Sequence, residues 1–134
     1  MVKSKWLWYN IYIKVFGGAH MPYINLKTNR SLNDENKQLL KSGLGQAIEL
    51  IPGKSEQWLM MTLEGDHTMY FGGDGEKGIC LVDVCCYGEP NAEAYAKVTA
   101  AVCDLVHNVL NIDPADVYIK YSETMYWGGN GVNL

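Results

Sequence analysis

The chain has 134 residues, of which 48% are hydrophobic and 19% charged; that is enough apolar material for one cored domain, and it argues against multidomain machinery and disorder. Its formal charge of −4 has the wrong sign for a module that holds nucleic acid mainly through phosphates. No nucleic-acid partner is expected.

The first twenty residues stand apart. Lys3, Lys5 and Lys14 occur there with no acid, and the aromatic run Trp6 to Phe16 superficially resembles a secretory leader. Asn10 and Lys14 interrupt that run, and it is too short to span a bilayer, so neither a signal peptide nor a membrane anchor is expected. Gly17-Gly18-Ala19-His20 precedes Met21, and consecutive glycine codons can spell a purine-rich ribosome-binding sequence. Met21 is therefore read as the start of the domain, with residues 1–20 as translated leader. A functional amphipathic extension is the alternative.

From Pro22 onward the pattern is strand, helix, strand, repeated once. Tyr23 to Lys27 alternates and runs into a polar turn ending at Asn33, which suits a short strand feeding an N-capped helix. Leu40, Leu44, Ala47, Ile48 and Ile51 fall at helical spacing and predict a helix over Asp34 to Ile51. Gly43 and Gly45 each weaken it by about 1 kcal/mol relative to alanine, which points to close packing on a sheet. Pro52-Gly53 ends the helix, and Gln57 to Leu63 reads as the second strand.

Gly78 to Tyr87 is rich in Val, Ile, Leu and Cys, as expected of a strand buried on both faces. Pro90-Asn91 opens a helix to about Leu110 with the stripe Tyr95, Val98, Val102, Leu105, Val106 and Val109. Asp116 to Tyr121 alternates as its partner strand. Overlaying the halves aligns Asn33-Asp34-Glu35 with Asn91-Ala92-Glu93, and Trp58-Leu59 with Tyr118-Ile119. The expected fold class is α/β (α+β), with two βαβ units forming a four-stranded mixed sheet and both helices on one face. The other face, expected to carry large apolar groups, needs a partner, and oligomerisation would cover it.

The four cysteines, Cys80, Cys85, Cys86 and Cys103, form no C-x-x-C pair and show no ligand spacing with His. Buried reduced thiols, no metal and a cytoplasmic setting follow. His20, His67 and His107 are assigned no chemistry.

Together, in order, several features resemble the tautomerase superfamily, and within it the macrophage migration inhibitory factor and D-dopachrome tautomerase family. They are Met21-Pro22, Thr28-Asn29, Gly53-Lys54, Met69-Tyr70-Phe71-Gly72-Gly73, Gly88, Val117-Tyr118-Ile119 and Trp127. The resemblance covers residues 21–134. It implies a homotrimer with active sites between neighbouring subunits, and cofactor-free keto–enol tautomerisation of phenylpyruvate-like or dopachrome-like compounds by an N-terminal proline base. Release from the cell without a conventional signal peptide belongs to the same picture.

Pro22 takes the base's position once Met21 is removed, as a methionine aminopeptidase does before a small residue. Its alternative is a rigid residue opening a strand, where a missing N–H costs little. Lys54 matches the lysine that contacts substrate oxygen; the ordinary reading is a solvated lysine near helix-end carbonyls. Tyr87 matches a residue whose backbone N–H binds substrate oxygen. Trp58, Tyr118, Met125 and Trp127 would wall the pocket around an aromatic ring, with plain core packing as the alternative for each. Lys120 stands where the family usually has a neutral asparagine: in the pocket it would favour carboxylates, and otherwise it blunts a strand edge.

Two departures narrow the analogy. Ile79 and Val82 replace the C-x-x-C of cytokine-type members, so a thiol oxidoreductase activity does not carry over, and the stretch from Tyr118 to Trp127 is shorter than in the vertebrate cytokine. The rival functional class is a non-catalytic, cytokine-like binding trimer. Retention of residues 1–20 would favour it, because the Pro22 nitrogen is then a planar amide with a delocalised lone pair. No residue identifies a protein receptor.

Overall fold

The computed structural model describes residues 21–133; the readings of residues 1–20 as leader or extension fall outside them. In chain order the elements are β1 (Pro22–Thr28), α1 (Asp34–Ile48), β2 (Met60–Glu64), β3 (Cys80–Tyr87), α2 (Ala92–Leu110), β4 (Val117–Thr124), β5 (Gly128–Gly129) and β6 (Val132–Asn133). Strands β2-β1-β3-β4 form one sheet, parallel in each βαβ half and antiparallel where β1 meets β3. This is the mixed four-stranded sheet expected from the repeat.

The helices start where the sequence supplies side-chain acceptors. Asn33 Oδ1 accepts the Asn36 amide at 2.7 Å while Asn36 Oδ1 accepts the Asn33 amide at 3.3 Å, a reciprocal capping box. Asn91 Oδ1 accepts the Ala94 amide at 3.0 Å. The first helix ends at Ile48 rather than Ile51, because the amides of Glu49, Leu50 and Ile51 bond carbonyls three residues back and tighten the last turn. Gly53 then turns the chain at a φ of 82°.

One constant offset, that carrying Asn33 onto Asn91, relates the two halves throughout. It carries β1 onto β3 and the 3₁₀ turn Glu56–Trp58 onto the 3₁₀ turn Pro114–Asp116. Each turn is capped by a side-chain oxygen, from Ser55 and Asp113 respectively. The overlay of Trp58 on Tyr118 is therefore two residues out: Trp58 matches Asp116, and Met60 matches Tyr118. The cause is that Gln57 and Trp58 belong to the turn, and β2 starts only at Met60.

The core lies between the sheet and the helices. Ile24 and Leu26 of β1, Val82 and Val84 of β3, Leu40, Leu44 and Ile48 of α1, and Val98, Val102 and Val106 of α2 are all fully buried. On the opposite face β3 is only partly covered, not buried on both sides as its composition suggested. That face is mixed rather than uniformly apolar. Tyr23, Met60, Leu81 and Tyr118 alternate there with Asn25, Thr62, Asp83 and Lys120. Asn25 Oδ1 is buried on it with no hydrogen-bond partner.

The helix glycines pack differently from the expectation. A Cβ on Gly43 would lie 2.3 Å from Leu105 Cδ1 of α2, and one on Gly45 would lie 2.4 Å from the Glu56 carboxyl carbon. Gly43 therefore brings the two helices together, and Gly45 makes room for the 3₁₀ turn; neither faces the sheet. The motif Thr28-Asn29 ties the end of β1 to the approach to β3. Thr28 Oγ1 donates to the Ile79 carbonyl at 2.8 Å, Asn29 Oδ1 accepts the Ile79 amide at 2.9 Å, and Asn29 Nδ2 donates to the Lys77 carbonyl at 2.7 Å.

Candidate active site

The start of β1 and the end of β3 meet at one end of the sheet. Pro22 is buried and pairs with Cys86, which pairs in turn with Glu123 of β4, so the three share a row on the helix-covered face. Beyond this row the Tyr87 amide donates to the Met21 carbonyl at 3.1 Å. In an unbroken antiparallel ladder the Tyr87 carbonyl would accept residue 21's amide in return. Lys54 donates to that same acceptor, with Nζ 2.8 Å from the Tyr87 oxygen.

Lys54 reaches this position because the chain turns at Gly53 and the Lys54 amide donates to the Ile51 carbonyl at 3.0 Å. The residue is only 9% exposed, and its ammonium bonds a strand carbonyl, so the reading of a solvated lysine at a helix end fails. Burial lowers its pKa below the ordinary lysine value, partly offset by Cys86. Burial also raises the Cys86 thiol pKa, with the Lys54 charge opposing. The arrangement is a buried cation beside a strand-end amide and a proline.

Tyr95 of α2 completes this end. Its hydroxyl donates to Glu123 Oε1 at 2.7 Å, and its ring stacks on Tyr121 with centroids 4.3 Å apart. Its pKa is raised, first by burial and then by the bond to Glu123. Met21, Cys86, Glu123 and Tyr95 were not among the site residues expected from sequence. For Cys86 a signal existed, since adjacent cysteines on a strand must face opposite ways and one had to enter the helix side.

The remaining expected site residues lie elsewhere in the chain. Tyr118 pairs with Leu81, five rows from Cys86 and roughly 16 Å away along the sheet at about 3.3 Å per residue. Tyr118 and Lys120 both point from the open face. Lys120 pairs with Asp83 at 3.4 Å, and Tyr118 meets Phe71 edge-on with centroids 4.8 Å apart. Plain core packing fails for Tyr118 and Met125, which are 62% and 80% exposed, whereas Trp58 and Trp127 are half-buried. Trp127 precedes a β5–β6 hairpin turned by Asn130-Gly131, both at positive φ. That dipeptide is a strong hairpin signal that the sequence reading passed over.

A cleft of about 370 Å³ between α1 and β2, lined by Lys37, Lys41, Glu56, Met61 and Leu63 among others, contains none of the expected site residues. Among the described residues no group of His, Cys, Asp and Glu could hold a metal ion, and no helix is long and apolar enough to cross a membrane.

Comparison with known proteins agrees with this architecture. The chain is similar in fold to Leishmania major MIF2, with 23% identity over 86% of this chain and 98% of that one and a TM-score of 0.80. A macrophage migration inhibitory factor homologue from Prochlorococcus marinus shares 26% identity over 83% of this chain and 97% of its own, with a TM-score of 0.73. The Entamoeba histolytica macrophage migration inhibitory factor-like protein superposes at a TM-score of 0.76 with 15% identity, covering 86% of this chain and 100% of that one. No curated protein sequence matches the chain significantly. The sequence model of the macrophage migration inhibitory factor family matches residues 21–132, and with the βαβ-βαβ sheet this places the chain in that family, within the tautomerase superfamily.

Proposed function

We propose that the protein, in a form beginning at Pro22, is a cofactor-independent keto–enol tautomerase of phenylpyruvate-like or dopachrome-like carbonyl compounds. The observation that carries this reading is the convergence of Pro22 and buried Lys54 on the end of β3. The proline nitrogen removes a proton from the carbon beside the substrate carbonyl. The C–H electron pair becomes the new C=C bond, the carbonyl π pair moves to oxygen, and the proline ammonium returns the proton to that oxygen. The Lys54 cation favours the negative oxygen at the intermediate stage. The same cation and the apolar surroundings disfavour a protonated proline, keeping the amine available as a base.

The acceptor pocket is completed by assembly. Tyr118 and Lys120 lie on the open face, five and three rows from Pro22, and a neighbouring subunit of a homotrimer would bring its own copies to this subunit's proline. The unpartnered Asn25 oxygen on the same face supports a covering subunit. A second reading, a non-catalytic binding trimer, applies to a chain that keeps residue 21, in which the Met21 carbonyl accepts the Tyr87 amide and the Pro22 nitrogen is an amide that cannot serve as the base.

Phenylpyruvate enolisation, followed by the ultraviolet absorbance of the enol, tests the proposal. Protein beginning at Pro22 is expected to turn over, and Pro22→Gly in the same form to lose about 10²- to 10⁴-fold in kcat, the usual contribution of a positioned base. Equal rates for these two and the 134-residue chain would refute the proline mechanism.

A further inference from the structure

Glu123 stands at the exposed end of β4, where a glutamate ordinarily swings free in water, yet its carboxylate is held. The Tyr95 hydroxyl donates to its Oε1 at 2.7 Å. Tyr95 is fixed in turn. Its ring stacks on Tyr121 at 4.3 Å, its carbonyl accepts the Tyr121 hydroxyl at 3.0 Å, and that hydroxyl lies 2.8 Å from Thr99 Oγ1. Register then decides where the held charge acts. Glu123 pairs with Cys86 and Cys86 with Pro22, so the three side chains stand in one row on the helix-covered face. With strands about 4.8 Å apart, Glu123 lies about 10 Å from Pro22 across two of them. Cys86 between them is a neutral thiol, its pKa raised by burial, lowered by the Lys54 charge and raised again by Glu123. Both charges therefore bear on the place beside the proline.

We propose that Glu123, held by Tyr95, is the counter-charge of the protonated Pro22 amine in a chain beginning at Pro22, so that the base works between two opposed charges, Lys54 and Glu123. The proton that leaves the substrate carbon rests on the proline nitrogen as a cation until it passes to oxygen. Lys54 alone would keep the amine neutral but make that cation costly. Glu123 offsets the cost from the far side of the row. The other charged and titratable groups near this end are engaged elsewhere. Glu56 lies against Gly45 of α1, Glu93 pairs with Lys97 at 3.9 Å, and Lys120 pairs with Asp83 on the opposite face of the sheet, where Cys85 also points. Tyr95 and Tyr121, both with pKa values raised first by burial, stay neutral donors.

The proposal rests on the tautomerase reading for the use of the amine, but its test needs no turnover. The Pro22 amine is titrated by proline-nitrogen NMR in proteins beginning at Pro22: the parent, Glu123→Gln, Glu123→Lys, Glu123→Asp and Tyr95→Phe. Glu123 and the Tyr95 hydroxyl lie at the surface, so none of these changes opens the core. Coulomb's law over about 10 Å, with a dielectric between that of a protein surface and that of water, gives a shift of about 0.3–1.2 pH units for one charge. Glu123→Gln is expected to lower the amine midpoint by that amount, and Glu123→Lys by about twice as much. Tyr95→Phe, which frees the carboxylate to turn into water, is expected to lower it by less. Glu123→Asp keeps the charge and is expected to keep most of the parental midpoint. At about 1 M salt, where the Debye length is about 3 Å, the differences are expected to collapse.

An amine midpoint unmoved by Glu123→Gln and Glu123→Lys, an equal shift in both, or differences that persist at high salt would overturn the proposal. Because the amine is then free at lower pH, the acid limb of kcat/KM for phenylpyruvate is expected to follow it downward in Glu123→Gln. If the amine titrates as expected but phenylpyruvate is left untouched, the counter-charge stands and the tautomerase reading falls. Turnover that depends on Pro22, with an amine indifferent to Glu123, gives the reverse.

Discussion

Replacing Gly43 by alanine sets two opposing effects against each other inside one helix. Alanine is about 1 kcal/mol better than glycine in a helix interior. The added Cβ, however, would lie 2.3, 2.6 and 2.9 Å from Cδ1, Cδ2 and Cγ of Leu105, so the whole isobutyl group of Leu105 must move, not only its tip. Forcing an extra carbon into a packed contact costs about 1–3 kcal/mol. The net expectation for Gly43→Ala is destabilisation by about 1 kcal/mol. Leu105→Ala alone is expected to cost about 2 kcal/mol, the low end for a truncated leucine because the residue is only half-buried. With Leu105 shortened the clash vanishes, and Gly43→Ala should then stabilise by about its helix preference. The sign of the same substitution therefore reverses between the two backgrounds. Urea unfolding of the four proteins at one fixed protein concentration reads it. A Gly43→Ala variant more stable than the parent with Leu105 in place would refute the close helix–helix contact.

Other consequences can be checked on the same preparation. Asn33→Ala and Asn91→Ala each remove the side-chain acceptor of one helix-start amide, that of Asn36 and of Ala94 respectively, and each should cost about 0.5–2 kcal/mol in urea unfolding. Lys54→Ala leaves the Tyr87 carbonyl without its ammonium and should destabilise by about 1–3 kcal/mol; in the chain beginning at Pro22 it should also lower kcat/KM for phenylpyruvate. Burial pushes the Cys80 thiol up to about 12 from 9.0. Its folded pKa lies above its unfolded one, so its contribution to stability is complete below pH 9 and is lost as pH rises toward 12. Cys80→Ala should flatten the loss of stability across that window, measured by urea unfolding at a series of pH values. Lys54 runs the other way: its lowered pKa means that the folded protein gains stability as pH rises toward 10.5, and Lys54→Ala should remove that gain.

The fold was largely legible because its signals are local. Both helix starts are marked by asparagine caps, and the stripes Leu40–Leu44–Ile48 and Val98–Val102–Val106 point at the same core. What misled the reading was short structure and contact between elements. A 3₁₀ turn shifted β2 to Met60, and the glycines of α1 answered to α2 and Glu56 rather than to the sheet, which no single-helix pattern reveals. For the candidate site the family resemblance named Pro22, Lys54 and Tyr87, and the fold gathers these three at one end of the sheet. The roles of Met21, Cys86 and Glu123 come from cross-strand register, a property of pairing that no spacing along one strand encodes.

Gly43 also bears on how the two halves recognise each other. The offset between the halves carries Gly43 onto Ala101 and Leu105 onto Ala47. The pair Gly43 and Leu105 on one side of the pseudo-axis therefore corresponds on the other to Ala101 and Ala47, a glycine against a long side chain in place of two equal short ones. Two copies of the first half, joined in the same way, would set Gly43 against Ala47 and leave a void. Two copies of the second would drive Ala101 into Leu105. A repeat able to pair with itself has thus become a pair of unlike partners, and a nascent chain whose first half has folded gains more by waiting for its own second half than by taking the first half of a neighbour.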